Sequence, residues 1–238
     1  MPPEPAATGS PPWILIPLFN EARSIGPLLH DIIQQSYPVL VVDDGSQDEG
    51  PQIARTKGCI VLSLGKNCGK GSALRRGFEY LLLQPSWDIV VLMDSDGQHE
   101  ASEIPRFVKT HRDLGIDVVV GNRMETRQKN MPWVRWVTNR FTSYCVSKLA
   151  GQRINDSQCG FRSMRRAVLA NLSLTCERFD LESEMLIQAG RKGFKIISIP
   201  IRTIYYEHRS RIRPLADTVR FFRLLLKYSI TRGVAQLG

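Results

Sequence analysis

The chain has 238 residues, of which 42% are hydrophobic and 23% are charged, and its formal net charge is +9. This size and composition favour one α/β domain with a substantial core and argue against a multidomain protein. No apolar run approaches the roughly 20 residues that a membrane-spanning helix requires. The five cysteines form no CxxC pair, which is typical of reduced thiols in a cytoplasmic protein.

Charge is distributed unevenly along the chain. Residues 1–121 hold 10 Lys and Arg against 15 Asp and Glu, a net −5, whereas residues 122–238 hold 22 against 8, a net +14. The basic part predicts contact with phosphates or an anionic membrane surface. Nucleic acid is not an expected partner, because no nucleic-acid-binding module is recognisable and the acidic part would repel a polyanion. Residues 1–12 are rich in Pro and Ala, so a disordered leader is expected.

Five short apolar segments predict β-strands, with helix-length segments between them. The strands are expected at 13–18, 39–43, 60–64, 88–93 and 117–121. The helices are expected at about 20–35, 47–57, 70–83, 101–113, 133–149, 179–192 and 214–232. This alternation is typical of a single doubly wound, mostly parallel sheet with helices on both faces. Ligands of such sheets bind beyond the carboxyl ends of the strands.

The segment Asp94–His99 carries the clearest chemical signal. It follows the apolar run Ile89–Met93, so its carboxylates lie at the carboxyl end of a predicted buried strand. Alternate residues of an extended chain point the same way, so Asp94, Asp96 and Gln98 can converge. A hard cation such as Mg²⁺ or Mn²⁺ would relieve the repulsion between the carboxylates and could hold a diphosphate. The alternative interpretation is a polar turn that caps the next helix.

Two further turns follow predicted strands. The acidic segment Asp43–Asp48 could bind nucleobase N–H groups, or it could simply start the next helix. The segment Lys66–Gly71 precedes a helix and is similar to a phosphate-cradling loop, because backbone N–H groups, a helix N-terminus and a lysine all attract anions. It lacks the Walker A spacing, and a solvated basic turn is the alternative.

Seven segments in this order resemble family 2 glycosyltransferases of the GT-A fold, in particular the dolichyl- and polyprenyl-phosphate mannosyltransferases. The segments are Ile16–Glu21, Val42–Asp48, Gly69–Gly71, Asp94–His99, Gly121–Arg123, Asp156–Arg162 and Tyr205–Ile212. The resemblance covers about residues 13–215. One departure is Glu100, which stands where a proline often follows the Asp94–His99 segment. We also expect no counterpart of the membrane-spanning extension found in some relatives.

The resemblance implies an inverting, metal-dependent hexosyltransferase that moves mannose or glucose from a nucleotide sugar to a polyprenyl phosphate. It implies a nucleotide pocket lined by Pro17, Phe19, Glu21, Val41 and Asp43. It also implies a Mg²⁺ or Mn²⁺ site formed by Asp94, Asp96 and Gln98, with Asp96 as a catalytic residue. Lys70 and Ser95 are further predicted substrate contacts.

A polyprenyl phosphate acceptor needs positive charge more than a general base, because it is mostly a dianion at neutral pH. We predict that Arg123 and Arg135 are catalytic residues that hold this phosphate. Asn139 lies one helical turn after Arg135, and Arg209 and Arg211 belong to a late basic loop, so all three are predicted substrate contacts. For each arginine, a solvated position or a surface ion pair is the alternative.

Glu184 separates this function from the main alternative. An acid in the segment 179–184 could be the general base of a family 2 enzyme whose acceptor is a hydroxyl group. It could equally be a favourable charge in the first turn of a helix. A sugar-nucleotide pyrophosphorylase and a non-catalytic nucleotide-sugar-binding module are less consistent with the motifs.

Residues 13–213 are therefore the predicted GT-A domain, and residues 214–238 a predicted C-terminal amphipathic helix. One face carries Arg220, Arg223 and Lys227, and another carries Val219, Phe222, Leu226 and Ile230. A basic amphipathic helix can lie in a membrane surface, so we expect a peripheral protein at the cytoplasmic face of a membrane, bound to the bilayer or to a membrane-anchoring partner subunit. Packing of the helix on the domain is the alternative.

Overall fold

The structure is a computed structural model that describes residues 9–124, 133–202 and 214–234. Within these ranges one sheet has seven strands in the order β3-β2-β1-β4-β6-β5-β7. The strands are β1 Trp13–Leu18, β2 Val39–Asp43, β3 Ile60–Ser63, β4 Ile89–Leu92, β5 Val118–Asn122, β6 Arg162–Arg165 and β7 Ile196–Pro200. The helices are α1 Ala22–Ile33, α2 Gly50–Thr56, α3 Lys70–Leu83, α4 Ile104–Leu114, α5 Trp133–Ala150, α6 Arg166–Asn171, α7 Asp180–Arg191 and α8 Pro214–Val234, with a 3-10 turn at Ala101–Glu103.

The five predicted strands are confirmed as β1 to β5, and the mostly parallel sheet is confirmed with them. Strand β1 pairs in parallel with β2 and with β4, and β5 pairs in parallel with β7. Each of these strands is a nearly continuous apolar run, because helices cover the sheet on both faces. The carboxyl ends of β1, β2, β4 and β5 consequently meet at one edge of the sheet, where ligands of doubly wound folds bind.

Strands β6 and β7 were not predicted. Strand β6 runs antiparallel between β4 and β5, and its sequence, Arg162-Ser163-Met164-Arg165, is mostly polar. Polar side chains are tolerated there because they find partners inside the protein. The Ser163 hydroxyl, for example, lies 2.7 Å from His111 Nε2. Sequence reasoning expects apolar residues in a central strand, and so it misses this one.

Helix α8 packs on the domain and still exposes much of its apolar surface. It contacts α5 and α7, and its Leu224 and Tyr228 side chains are buried. Four side chains on its outward surface are between 50% and 61% exposed: Val219, Phe222, Leu226 and Ile230. Of the helices in the described ranges, none is both long enough and apolar enough to cross a bilayer.

Candidate active site

Asp94 and Asp96 follow β4 directly, at the carboxyl edge of the sheet. Lys70, the first residue of α3, places its Nζ 2.5 Å from Asp94 Oδ1 and 3.1 Å from Glu182 Oε1. Burial alone would raise the pKa of Asp94, but the neighbouring Lys70 ammonium lowers it. The same two carboxylates raise the pKa of Lys70 against the opposing effect of burial. Asp94 and Lys70 are therefore a charged pair at neutral pH.

The pKa of Asp96 is shifted in the opposite direction to that of Asp94. Burial and the nearby Asp94 carboxylate raise its pKa from 3.8 to about 6. The carboxylate of Glu21 raises it further, which places the end of β1 close to this site. One Asp96 oxygen accepts a hydrogen bond from the Gln98 backbone N–H at 3.0 Å. A cationic ligand would therefore stabilise ionised Asp96 more than the protein itself does.

The loop before β6 is shaped around Asp94. A Cβ atom added to Gly160 would lie 2.1 Å from Asp94 Oδ2, so only glycine leaves room for this carboxylate. Arg162 is fully buried and ties the loop to α7, since its guanidinium donates to the carbonyls of Cys159 and Glu182. The segment therefore supports the position of Asp94.

Arg123 follows β5 and forms a nearly buried bidentate ion pair with Asp156. Its Nε lies 2.7 Å from Asp156 Oδ2 and its Nη2 lies 3.0 Å from Asp156 Oδ1. Burial alone would raise the pKa of Asp156, but Arg123 lowers it. The charge of Arg123 also lowers the pKa of Asp94, so this guanidinium stands at the predicted site. Its role in binding an acceptor phosphate stays a prediction.

The predicted phosphate loop is occupied by a side chain of the protein. The Asp44 carboxylate accepts hydrogen bonds from the backbone N–H groups of Cys68, at 2.6 Å, and Gly69, at 2.9 Å. Burial is the largest effect on the pKa of Asp44, and it raises the value above the usual one. These N–H groups organise the turn itself in the described structure, and Lys70 points to Asp94.

The predicted nucleotide-binding residues lie around the ends of β1 and β2. Pro17 and Val41 are buried within their strands, and Val41 is 0% exposed. The Asp43 carboxylate accepts hydrogen bonds from the Ser46 N–H at 2.8 Å and the Ser63 hydroxyl at 2.9 Å. Phe19 and Glu21 are half-buried in the loop after β1. The structure brings these residues to one edge, and their contact with a nucleotide stays a prediction.

Two cross-links hold the β1 and β2 loops together at this edge. The Asn20 N–H donates to Ser46 Oγ at 3.0 Å, and Gln47 N–H donates to Asn20 Oδ1 at 2.7 Å. Asp48 accepts a hydrogen bond from Ala22 N–H at 2.8 Å and so satisfies a donor in the first turn of α1. The acidic turn is therefore partly structural.

The remaining predicted residues are less fully defined. Ser95 is buried, and its carbonyl accepts a hydrogen bond from Ser24 Oγ at 2.7 Å. Asn139 is buried on the inner face of α5. Arg135 belongs to α5, but its side chain lies outside the described part of the structure, and Arg209 and Arg211 lie outside the described residues altogether. Their predicted phosphate contacts stay predictions.

Glu184 lies on α7 with 0% of its surface exposed. Its carboxylate accepts hydrogen bonds from the N–H groups of Thr175, at 2.8 Å, and Cys176, at 2.9 Å. From α8, Lys227 Nζ and Tyr228 OH each donate to it at 3.1 Å. Burial alone would raise the pKa of Glu184, but the backbone donors prevail and hold it at about 2. A carboxylate this well satisfied is a weak proton acceptor.

The side chains after β4 suit a hard divalent cation. The raised pKa of Asp96, caused by burial and by Asp94, is the observation that favours one. Across the described ranges, no group of three or more His, Cys, Asp and Glu side chains could hold a metal by itself. Mg²⁺ commonly binds one or two carboxylates and completes its shell with water and substrate phosphates, so Asp94 and Asp96 fit such a site.

Sequence reasoning assigned no individual role to Asp156, Gly160 or Arg162, although their segment carried part of the resemblance. Asp156 pairs with Arg123, Gly160 makes room for Asp94, and Arg162 fixes the loop. The signal available was a cluster of Asp, Gly and Arg in a short polar segment. Their partners Arg123, Asp94 and Glu182 lie far from this segment along the chain, so the sequence could not indicate which pairs form.

Residues 13–173 match the sequence model of glycosyl transferase family 2. The chain is 29% identical over 216 residues to a dolichyl-phosphate hexose transferase of Haloferax volcanii, covering 90% of this chain and 92% of that one. It is also 29% identical over 218 residues to a UDP-N-acetylglucosamine–dolichyl-phosphate N-acetylglucosaminyltransferase of Methanococcus voltae, covering 82% of this chain and 86% of that one.

The fold is similar to that of a solved glycosyltransferase. Glucosyl-3-phosphoglycerate synthase of Mycobacterium tuberculosis, in complex with Mn²⁺ and UDP-glucose, superposes with a TM-score of 0.67 at 21% identity, covering 94% of this chain and 79% of that one. This similarity confirms the predicted GT-A architecture. Together with the family match over more than half of the sequence, it confirms the predicted family. The chain belongs to glycosyl transferase family 2.

Proposed function

We propose that this protein transfers a hexose from a nucleotide sugar to a polyprenyl phosphate, with a divalent cation at Asp94 and Asp96. The observation that supports it most is the carboxylate pair after β4, where burial and mutual repulsion raise the pKa of Asp96 to about 6. The dolichyl-phosphate substrates named for the two archaeal relatives support the acceptor. The Mn²⁺ and UDP-glucose of the solved neighbour support the cation and the donor class.

The cation would neutralise the diphosphate leaving group when the donor is bound. The residues of this chain then have separable tasks. Lys70, within 2.5 Å of Asp94, adds a second positive charge beside the same carboxylates. The Arg123–Asp156 pair fixes a guanidinium at the end of β5, where its positive charge would attract an acceptor phosphate. Such an acceptor is already a nucleophile at neutral pH and requires no strong base.

A hydroxyl acceptor remains the alternative function, and the contacts of Glu184 argue against it. A hydroxyl acceptor needs a base to take its proton. Glu184 is buried among five donors, which include the Thr175 hydroxyl and keep its pKa at about 2, and two of these donors come from α8. We therefore assign Glu184 to joining α7 and α8.

We further propose that α8 contacts a membrane surface or a membrane-anchoring partner, because its outward apolar residues Phe222 and Leu226 are 51% and 61% exposed. Deleting α8 would not test this cleanly, since Lys227 and Tyr228 support Glu184. The double substitution Phe222→Ser/Leu226→Ser leaves those contacts in place. Vesicle flotation of this variant should be weaker than that of the wild type, and equal flotation would contradict the proposal.

The function is tested by transfer of label from GDP- and UDP-sugars to a short polyprenyl phosphate, in detergent, with Mg²⁺ or Mn²⁺. Label in the lipid fraction that disappears with EDTA would support the proposed function and identify the sugar. Asp113→Asn is a matched control for substitutions in the site, because Asp113 is an exposed residue that pairs with Lys109 on α4. Metal-dependent release of nucleoside diphosphate only with hydroxyl acceptors would favour the alternative.

A further inference from the structure

Helix α5 presents a broad apolar face to solvent. Four of its large side chains are between 51% and 71% exposed: Trp133, Val134, Phe141 and Tyr144. The opposite face is buried against the domain through Asn139, Ser143, Val146 and Ala150. Large apolar side chains that share one exposed face usually indicate an interaction surface.

A basic cleft runs beside this face. It lies between α5 and residues 151–155 and has a volume of about 890 Å³. Arg140 and Lys148 line it from the helix, Arg153 lines it from the loop, and the described residues around it include no Asp or Glu. Tyr144 belongs both to the cleft and to the exposed face, so the two are continuous. Three cations, with no carboxylate among the described lining residues, suit a phosphate-bearing ligand.

The cations of α5 are held close to its aromatic side chains. The Arg140 guanidinium lies 5.0 Å from the centre of the Trp136 ring, and Lys148 Nζ lies 5.5 Å from the centre of the Tyr144 ring. The sequence of α5 contains three basic residues and no acidic one. Aromatic rings with cations beside them match the boundary between lipid headgroups and acyl chains.

We propose that α5 and the basic cleft form a docking surface for an anionic lipid bilayer. The exposed side chains Trp133, Phe141 and Tyr144 enter the acyl boundary, and the cleft holds a lipid phosphate headgroup. A nucleic acid would leave the apolar face in water, so it fits this surface less well. This inference rests on the proposed function, which places the protein at a membrane. It adds a second contact, at α5, that the proposed membrane contact of α8 does not imply.

The position of the cleft gives this docking a consequence for the reaction. Asn122, the last residue of β5, also lines the cleft. Arg123 follows it and pairs with Asp156, in the same loop as Gly160, which lies against the Asp94 carboxylate. A bilayer bound at α5 therefore lies next to the carboxyl edge of the sheet, where a lipid-borne acceptor must arrive.

The test is sedimentation with vesicles of phosphatidylcholine alone or with phosphatidylglycerol. The cleft variant is Arg140→Gln/Arg153→Gln, and the face variant is Phe141→Ser/Tyr144→Ser. Each basic residue near such a surface contributes roughly 1 kcal/mol, so we expect the cleft variant to bind anionic vesicles on the order of 10- to 30-fold more weakly. The face variant should lose at least tenfold.

Matched controls are available elsewhere on the surface. Leu83 and Leu114 are 82% and 63% exposed on α3 and α4, so Leu83→Ser/Leu114→Ser controls for lost apolar surface. The pair Arg55→Gln/Lys57→Gln, at the end of α2, controls for lost charge. Both control variants should bind vesicles like the wild type. Thermal unfolding of every variant checks that the fold is intact.

Three outcomes would overturn the proposal. The first is that the wild type does not bind vesicles, or that the cleft and face variants bind them as strongly as the wild type does. The second is binding of glycerol 3-phosphate that is lost in the cleft variant while vesicle binding is unchanged, since the ligand is then a soluble phosphate. The third is a wild-type dimer that the face variant converts to a monomer, since α5 is then a subunit interface.

Activity in detergent separates this inference from the proposed function. With a short acceptor dispersed in detergent no bilayer is needed, so the cleft and face variants should transfer sugar as fast as the wild type. Their transfer to acceptor embedded in anionic vesicles should fall along with vesicle binding. If the wild type transfers nothing in detergent, the proposed function fails, while the vesicle experiment still decides whether α5 docks to lipid.

Discussion

Two acidic side chains of this protein, the fully buried Glu184 and the half-buried Asp96, differ in the groups that surround their carboxylates. Glu184 receives donors from the Thr175–Cys176 backbone and from α8, and its pKa is held at about 2. Asp96 is half-buried, and burial together with the neighbouring Asp94 carboxylate raises its pKa to about 6. A carboxylate that the protein stabilises fully is structural, whereas one left with repulsion is suited to a ligand that arrives from outside.

Asp96→Asn should cause the largest change, because it removes the carboxylate that we assign to the cation and the diphosphate. We expect transfer to fall by about 10² to 10³ or more, the loss usual when a group that stabilises developing charge is removed. Label transfer under saturating donor and metal measures it, with Asp113→Asn as the control. Near-normal turnover of a folded Asp96→Asn protein would place the cation elsewhere.

Glu184→Gln should act on stability instead. The pKa of Glu184 falls from its usual 4.5 to about 2 on folding, which corresponds to about 3 kcal/mol of stability at neutral pH. That contribution is complete above pH 4.5 and is lost as the pH falls toward 2. Urea unfolding should therefore show a large difference from the wild type at pH 7 and a smaller one near pH 3.

The control for Glu184→Gln is Glu79→Gln, which removes an exposed acid that pairs with Arg76 on α3 and should change stability by less than about 1 kcal/mol. Transfer by folded Glu184→Gln should remain substantial. A complete loss of transfer without loss of stability would instead identify Glu184 as a base, and it would restore the hydroxyl acceptor as the leading function.

Gly160→Ala tests whether the position of Asp94 matters. The added Cβ would lie 2.1 Å from Asp94 Oδ2, so the carboxylate must move. We expect transfer to fall by roughly 10- to 100-fold, as small displacements in active sites commonly do. Gly26→Ala is the matched control, because its Cβ would meet only Ile53 Cγ2 at an ordinary 3.5 Å. Unchanged transfer by Gly160→Ala would show that the site tolerates a displaced Asp94.

The smallest predicted effect is a gain in stability from Asp96→Asn without metal. Folding raises the pKa of Asp96 from 3.8 to about 6. The ionised carboxylate therefore destabilises the folded state above pH 6, and this effect is absent below pH 3.8, where Asp96 is protonated in both states. The pKa change corresponds to about 3 kcal/mol, but the Asn amide is also partly desolvated, so in EDTA at pH 8 the variant should be more stable than the wild type by about 1–2 kcal/mol. At pH 3.5 this gain should vanish. Mg²⁺ should stabilise the wild type more than the variant. A variant less stable than the wild type at pH 8 would contradict the assigned repulsion.

The sequence predicted the parts of the fold that depend on local apolar runs. Strands β1, β2, β4 and β5 were found because each buries most of its side chains in the core, and the half-exposed strand β3 was found because Ile60, Val61 and Leu62 form a local apolar run. Strand β6 was missed because Arg162 and Ser163 are polar, and both are buried only through partners elsewhere in the chain. Local hydrophobicity carries no information about such partners.

In the candidate site, too, the sequence indicated the features that depend on local residues and missed those that depend on distant partners. Asp94 and Asp96 could be identified because they follow an apolar run. The turn Lys66–Gly71 was similar to a phosphate loop, yet Asp44 accepts hydrogen bonds from its N–H groups at Cys68 and Gly69. That contact joins two loops more than 20 residues apart, and only the folded chain shows that an internal carboxylate takes the place expected for a phosphate.

Strand β6 also has a consequence for the order in which the sheet can be completed. Strands β1 to β4 follow one another within residues 13–92 and form one contiguous set in the order β3-β2-β1-β4. Strand β5 meets this set only through β6, which ends at Arg165, and β7 then joins at the outer edge of β5. During synthesis the half of the sheet formed by β1 to β4 can therefore assemble before β6, which links it to the rest, has left the ribosome. The open edge of β4 must wait about 70 residues for its partner.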